Sequence, residues 1–201
     1  MMRLVAVCGI PGSGKTSIIR ESCNGVKFSF IANNPESQDM IADISENSDN
    51  FPFKSPCARI RQFQFRVDMM KEKNPELLIA EPPGNCLEVS SPMLNQIYVN
   101  DKSISLGPLM TVIDGCNIDK EISKRTTEGL RMFNMIDESD VIVISHSDLI
   151  DDERRSFIAD EVSKINEDAE VIFCSVVTGE GIDSVKERIV GDYTYTRPLW
   201  N

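Results

Sequence analysis

The chain has 201 residues, 41% hydrophobic and 26% charged, with a net charge of −11. That length suits one medium-sized domain with a proper core. The acidity argues against nucleic acid and anionic membrane as partners, since both call for a basic surface, and no apolar stretch has the length of a membrane span.

Arg3-Leu4-Val5-Ala6-Val7-Cys8 opens the chain as a short apolar run rich in β-branched residues. It predicts a buried parallel strand. With a strand starting at once, no secretory leader is expected, and the expected compartment is the cytoplasm. The six cysteines contain no C-x-x-C pair, so a disulfide framework is not expected.

Gly9-Ile10-Pro11-Gly12-Ser13-Gly14-Lys15-Thr16 follows and fits the pattern G-x-x-x-x-G-K-[ST] without a mismatch. Ser17 to Ser22 then opens a helix. Strand, glycine loop and helix N-terminus together make an anion site, where backbone N–H groups converge and the helix dipole favours negative charge. Gly12 and Gly14 permit backbone shapes that a side chain would obstruct. Lys15 is placed to reach the β- and γ-phosphates of a nucleotide, and the Thr16 hydroxyl to ligate Mg²⁺. Gly9, Pro11, Gly12, Ser13, Gly14, Lys15, Thr16 and Ser17 are the phosphate-site candidates. The bland alternative is a glycine turn between a strand and a helix.

Val26 to Ile31 alternates as a second strand, and Pro35 to Ile44 predicts a short helix carrying Asp39. Glu46 to Pro56 is polar with two prolines and reads as a loop. Ile60, Phe63, Val67 and Met70 recur at helical spacing over 60–73. Leu77-Leu78-Ile79-Ala80 is a strand running into Glu81-Pro82-Pro83-Gly84. A carboxylate just beyond a buried strand suits a Mg²⁺ shell or the orientation of an attacking water; a turn residue before prolines is the alternative. Leu109 to Ile113 is a further strand, ending at Asp114, and 118–136 reads as mostly helical. Val141-Ile142-Val143-Ile144 is the clearest buried strand. Asp151 to Asn166 is an amphipathic helix, Val171 to Cys174 the last strand, and Ile182 to Val190 the closing helix. Residues 191–201 form an irregular tail. The alternation predicts an α/β domain spanning 1–201, with a mostly parallel sheet flanked by helices on both faces. Ligands of such sheets sit at the carboxyl ends of the strands.

Two of those ends read as a guanine site. Val143-Ile144 leads to Ser145-His146-Ser147-Asp148, where a GTPase carries Asn-Lys-x-Asp. Asp148 stands where a carboxylate accepts two hydrogen bonds from guanine, a contact adenine cannot make. Ser145 replaces Asn and His146 replaces Lys, and an imidazole can stack on a base. A turn cap at Asp148 and an exposed loop histidine are the alternatives. Cys174 leads to Ser175-Val176-Val177-Thr178-Gly179-Glu180-Gly181. In GTPases this loop often reads Ser-Ala-x-Thr-Gly-Glu-Gly and presents a backbone N–H to the guanine carbonyl. Ser175, Val176 and Val177 are its candidates here.

The order and spacing of these pieces resemble the SIMIBI-class P-loop metal-chaperone GTPases, which include the urease accessory G protein, the hydrogenase nickel-insertion GTPase and CobW-like proteins. The resemblance covers nearly the whole chain and is closest to the urease type. Glu81-Pro82-Pro83-Gly84-Asn85-Cys86-Leu87 and Ser91-Pro92-Met93-Leu94 look like that protein's Glu-Ser-Gly-Gly-Asp/Asn-Asn-Leu and later Ser-Pro-Glu-Leu. Thr111-Val112-Ile113-Asp114 resembles its Tyr-Val-Ile-Asp strand, and Pro56-Cys57-Ala58 falls where the family has a Cys-Pro-His motif.

The resemblance implies GTP hydrolysis with Mg²⁺, coupled to delivery of a metal (nickel, zinc or cobalt) or a metallocofactor to a client metalloenzyme or its accessory proteins. It also implies a nucleotide-dependent homodimer. Lys15, Glu81 and Asp39 take the catalytic and Mg²⁺ positions, Asp39 as the acidic residue of the family's first mobile loop. The metal motif has kept Cys57 but lost its histidine, and two thiolates in a symmetric dimer are too few to close a zinc-like site without Cys86 or another ligand. Cys57 reads equally as an ordinary loop thiol. A nucleotide-binding scaffold with little hydrolysis and, further off, a small-molecule kinase are the rival readings.

Overall fold

The computed structural model describes residues 1–51, 60–82, 90–122 and 126–193. Along the chain run β1 (Met2–Cys8), α1 (Lys15–Ser22), β2 (Ser29–Ala32), α2 (Pro35–Ile41), β3 (Asn47–Asn50), α3 (Ile60–Lys71), β4 (Leu77–Ala80) and α4 (Ser90–Asn100). There follow β5 (Ile104–Asp114), α5 (Ile118–Glu121), α6 (Thr127–Glu138), β6 (Val141–Ser145), α7 (Asp152–Ser163), β7 (Glu170–Phe173) and α8 (Ile182–Val190).

The strands form one seven-stranded sheet in the order β3-β2-β4-β1-β5-β6-β7. Every pairing is parallel. Each central strand is apolar on both faces because both faces are covered. In β1, Leu4, Ala6 and Cys8 face a cluster with Phe63, Met93, Met132 and Ile158, carried by α3, α4, α6 and α7. Val5 and Val7 face the opposite cluster with Ile18, Ile19, Ile41 and Val185, carried by α1, α2 and α8. This is the two-sided burial that a continuous apolar run signals.

The structure departs from the sequence pattern in four places. β3 lies inside the stretch read as a loop. Its residues Asn47-Ser48-Asp49-Asn50 are all polar because it is an edge strand paired only with β2. Side-chain bonds support it instead of a core, with Asn47 Nδ2 donating to Ser29 Oγ (3.3 Å) and Asn50 Nδ2 to Gln38 Oε1 (2.8 Å). β5 starts at Ile104, five residues earlier than the pattern suggested, and runs through Gly107-Pro108. A register shift against β1 between Leu4 and Ala6 absorbs that dipeptide, and Val5 Cγ2 lies only 2.6 Å from where a Gly107 Cβ would sit. The segment 118–136 is two helices. The Thr126 side chain caps the second by accepting from the Gly129 N–H (3.0 Å). α4 was not assigned from the sequence at all. Among the described residues no helix is long and apolar enough to cross a membrane.

Candidate nucleotide site

The carboxyl ends of β1, β4, β6 and β7 gather the predicted tips on one side of the sheet. The glycine loop leaves β1 and passes into α1 through Gly14, which has φ 86° and is the N-cap residue. Gly9 has φ 139°, and a Cβ there would lie 2.4 Å from the Val112 carbonyl oxygen of the neighbouring strand. Gly12 has φ 85° with open space around it. Backbone N–H groups so arranged form an anion nest at a helix N-terminus. Lys15 is only 5% exposed. Its Nζ lies beneath the loop, donating to the Ile10 carbonyl (2.8 Å) and, at 3.5 Å, to Ser13 Oγ.

Next to it is a small polar corner. Glu81, at the tip of β4, is 1% exposed. Its Oε2 accepts from Asn33 Nδ2 (3.1 Å), while Oε1 is buried without a hydrogen-bond partner among the described residues. Burial pushes the Glu81 carboxyl up, opposed by the nearby Thr16 hydroxyl, the Lys15 ammonium and the Ser37 hydroxyl. Thr16 Oγ1 and Ser37 Oγ are 3.0 Å apart. An unpartnered buried carboxylate oxygen costs about 1–3 kcal/mol. Set beside a hydroxyl at the start of the phosphate loop helix, it suits a hard, oxygen-loving cation such as Mg²⁺. Asp39 lies exposed on α2 and does not join this corner. Ser37, two residues and about 200° earlier on the helix, is the α2 side chain that reaches Thr16.

A cleft of about 260 Å³ adjoins the loop. Gly14, Ser17 and Ile18 line one side, Ser145, His146 and Asp148 another, and Ser175, Val176 and Val177 the third. The structure thus brings the three predicted tip segments around one space. Ser145 packs beneath the phosphate loop, its Cβ 3.7 Å from where a Gly14 Cβ would lie, and its Oγ donates to the Ile113 carbonyl (3.2 Å). His146 adopts a left-handed backbone, φ 56°. Its Nδ1 is 3.1 Å from Ser145 Oγ and 3.2 Å from Asp114 Oδ1. Burial acts to raise the Asp114 carboxyl, but the Asn117 amide, the Cys116 N–H and His146 outweigh it and hold Asp114 below the usual range. Asp148 stands exposed in the cleft wall. Ser175 is buried, and its Oγ accepts from the N–H groups of Val177 (3.1 Å) and Thr178 (3.2 Å), which fixes the third loop.

The CobW/HypB/UreG nucleotide-binding domain matches residues 3–173. The chain belongs to that family. Solved structures agree on the fold. The hydrogenase maturation factor HypB from Archaeoglobus fulgidus is 16% identical, with a TM-score of 0.57 over 92% of this chain and 87% of that one. The Zn(II)-bound YjiA GTPase from E. coli is 13% identical, with a TM-score of 0.59 over 97% and 67%. Chloroplast FtsY from Physcomitrella patens is 18% identical, with a TM-score of 0.55 over 91% and 60%. No curated protein sequence matches significantly.

Within this family member, a clamp that the sequence did not announce joins two walls of the cleft. Arg155 on α7 donates to both carboxylate oxygens of Glu180 (2.6 and 2.8 Å) and to the Ser147 carbonyl (2.9 Å), while Ser147 Oγ donates to Glu180 Oε2 (2.6 Å). The Arg155 guanidinium, followed by the Ser147 hydroxyl, holds the Glu180 carboxyl down to about 2. Its ordinary value is 4.5, so the stabilisation is complete above that pH and is lost as pH falls towards about 2. Both side chains are partly exposed, which keeps the effect near about 0.5–1 kcal/mol. Glu180→Gln should therefore be less stable than wild type by that amount near neutral pH and converge with it in acid. Urea melts at about pH 7 and about pH 2 check this.

Cys57 and Cys86 lie outside the described residues. Of the free cysteines Cys8, Cys23, Cys116 and Cys174, only Cys116 is exposed. Burial pushes the Cys23 thiol up to about 12 and the Cys174 thiol up to about 11, which marks them as core residues. Among the described residues no group of three or more His, Cys, Asp or Glu side chains is placed to hold a metal ion.

Proposed function

We propose that this chain is a Mg²⁺-dependent GTP hydrolase that uses its nucleotide state to deliver a metal or metallocofactor to a client enzyme. The observation that carries the reading is the meeting in one corner of Lys15, Thr16 and a Glu81 oxygen unpartnered among the described residues, beside the same loop that lines a cleft whose wall carries Asp148. Loop N–H groups and Lys15 bind the β- and γ-phosphates, Lys15 exchanging the Ile10 carbonyl for phosphate oxygens. Thr16 and Glu81 hold Mg²⁺, which when bound neutralises charge on the transferring phosphoryl group. Asp148 accepts the guanine N–H groups in the cleft, and His146 lies against the base. Ser145 is a weaker partner than Asn, so the preference for GTP over ATP is smaller than in a GTPase with the full motif.

Glu81→Gln separates binding from turnover. It keeps the shape and the bond from Asn33 while removing the buried charge. Hydrolysis should fall by roughly hundredfold or more, in the range expected for a group that organises catalytic electrostatics. Nucleotide affinity should change far less, and the nucleotide-free protein should melt a few degrees higher. Single-turnover hydrolysis and thermal melts on one preparation test this; a full hydrolysis rate would remove Glu81 from the mechanism.

Cys57 enters as the cargo ligand, shared between two chains of a GTP-bound homodimer, with Cys86 as the additional thiolate. Soft thiolates suit nickel, zinc or cobalt, and protons compete for them, so binding weakens as pH falls. Nucleotide turnover and bound metal should be measured on the same sample, with and without a non-hydrolysable GTP analogue, for wild type and Cys57→Ser. Equal metal binding by the two proteins would make Cys57 structural. The scaffold reading is favoured by Ser145 and His146 standing where GTPases carry Asn-Lys, and it predicts nucleotide binding without turnover.

A further inference from the structure

Four side chains link the two ends of the polar corner. Ser37 Oγ donates to Asn33 Oδ1 (3.4 Å), and Asn33 Nδ2 donates to Glu81 Oε2 (3.1 Å). With Ser37 Oγ donating to Asn33 Oδ1, the 3.0 Å contact between Thr16 Oγ1 and Ser37 Oγ, in which either hydroxyl can donate, takes Thr16 as its donor, and both hydroxyls also lie beside the Glu81 carboxylate. The bonds then run in one direction, from Thr16 through Ser37 and Asn33 to Glu81. The Thr16 proton is drawn towards α2, which leaves a lone pair of that hydroxyl for a cation. The Asn33 amide occupies one Glu81 oxygen, which leaves Oε1 as the buried one without a hydrogen-bond partner among the described residues.

The chain holds both intermediates of this path in place. Asn33 directly follows β2, one residue beyond Ala32. Asn34 caps α2, its Oδ1 accepting from the Ser37 N–H (2.8 Å), and Asn34 Nδ2 also donates to Asn33 Oδ1. Ser37 is buried, so its hydroxyl faces the corner rather than water. α2 itself is also tied to the sheet edge, since Gln38, the residue after Ser37, bonds Asn50 and Ser48 of β3 (2.8 and 3.4 Å).

We propose that Asn33 and Ser37 are positioning residues for Mg²⁺: an uncharged path from α2 that orients the Thr16 lone pair and the free Glu81 oxygen towards one cation. The proposal rests on reading Lys15, Thr16 and Glu81 as the Mg²⁺–nucleotide corner. It assigns the role expected of an acidic residue on α2 to a neutral pair and excludes Asp39 from it. Because neither residue touches the phosphates in this arrangement, their loss should affect nucleotide binding only when the metal is present.

The test uses the full chain, with GDP and Mn²⁺ as a paramagnetic probe for Mg²⁺. Mn²⁺ affinity of the GDP complex is read by electron paramagnetic resonance, and GDP affinity without metal by calorimetry in EDTA. Asn33→Ala and Ser37→Ala should each weaken Mn²⁺ by about five- to tenfold, with metal-free GDP affinity unchanged. Ser37→Thr, which keeps the hydroxyl, should restore wild-type affinity. The double variant should be no weaker than the worse single one, because one path is broken once. Unchanged Mn²⁺ affinity in both variants, alongside GDP binding that still requires Lys15, overturns the proposal alone. Equal weakening with and without metal also overturns it, since that marks a merely structural role. If wild type binds no GDP, or binds it independently of Lys15, the corner itself is misread and the proposal falls with it.

Discussion

Lys15→Ala should weaken a non-hydrolysable GTP analogue by roughly hundredfold or more. An ammonium hydrogen-bonded to phosphate contributes about 1.5–3 kcal/mol through the bond alone, with the attraction between the charges in a partly desolvated site added to it. The side chain already lies under the loop, bonded to the Ile10 carbonyl, so it needs only to exchange one oxygen for another when phosphate arrives. The fold should survive. Lys15 lies in the first turn of α1 with Ile18 and Ile19, not Lys15, filling the core beneath. The variant should still melt cooperatively, within a few degrees of wild type. Calorimetry checks the affinity and a thermal melt checks the fold; unchanged affinity in a folded variant would sink the phosphate-site assignment.

The second large effect separates two glycines of the same loop. Gly9→Ala should lower stability by about 3 kcal/mol or more. Its Cβ would meet the Val112 carbonyl oxygen at 2.4 Å, a backbone atom of β5 that cannot rotate away, and its φ of 139° is unfavourable for any L side chain. The strain falls between β1 and β5, at the centre of the sheet. Gly12→Ala has the same kind of backbone problem, φ 85°, but nothing lies within 4 Å of its Cβ. It should cost only about 1 kcal/mol in stability yet still impair nucleotide binding, because the loop must keep its N–H groups turned inward. Denaturant melts and nucleotide titrations of the two variants give the comparison. Equal stability of the two would mean that β5 yields at Val112.

The phosphate loop was readable from the sequence because its chemistry is local. Gly9 to Thr16 form the nest from consecutive residues, and the flanking run Leu4 to Cys8 identifies the strand that must precede it. Glu81, Asp148 and Ser175 were readable as strand tips for a related reason. A buried parallel strand is a clear signal, and a parallel sheet delivers all its carboxyl ends to one side. What the sequence hid depends on contacts between distant elements. Ser37 meets Thr16 across 21 positions, and Arg155 meets Glu180 across 25. Neither pair has a spacing rule. Asp39 answers to the acidic type expected in the family's first mobile loop, but helical phase decides which α2 side chain reaches Thr16, and the phase of α2 is set by Ile41 packing into the core. β3 escaped notice because an edge strand needs only backbone partners, so Asn47 to Asn50 carry no hydrophobic pattern. The pattern starts β5 only at Leu109 because a bulge against β1, visible only in the paired strand, is what carries the strand through Gly107-Pro108.

One titration bears most directly on the account: a non-hydrolysable GTP analogue and its ATP counterpart, each added to the wild-type chain with Mg²⁺ and again in EDTA. The account predicts tighter binding of the GTP analogue, by a margin of roughly 5- to 150-fold for one charge-assisted contact at Asp148. It also predicts that removing Mg²⁺ weakens both nucleotides, because the free oxygen of Glu81 and the Thr16 hydroxyl then have no cation between them. Equal affinity for the two analogues, with no response to Mg²⁺, would contradict it.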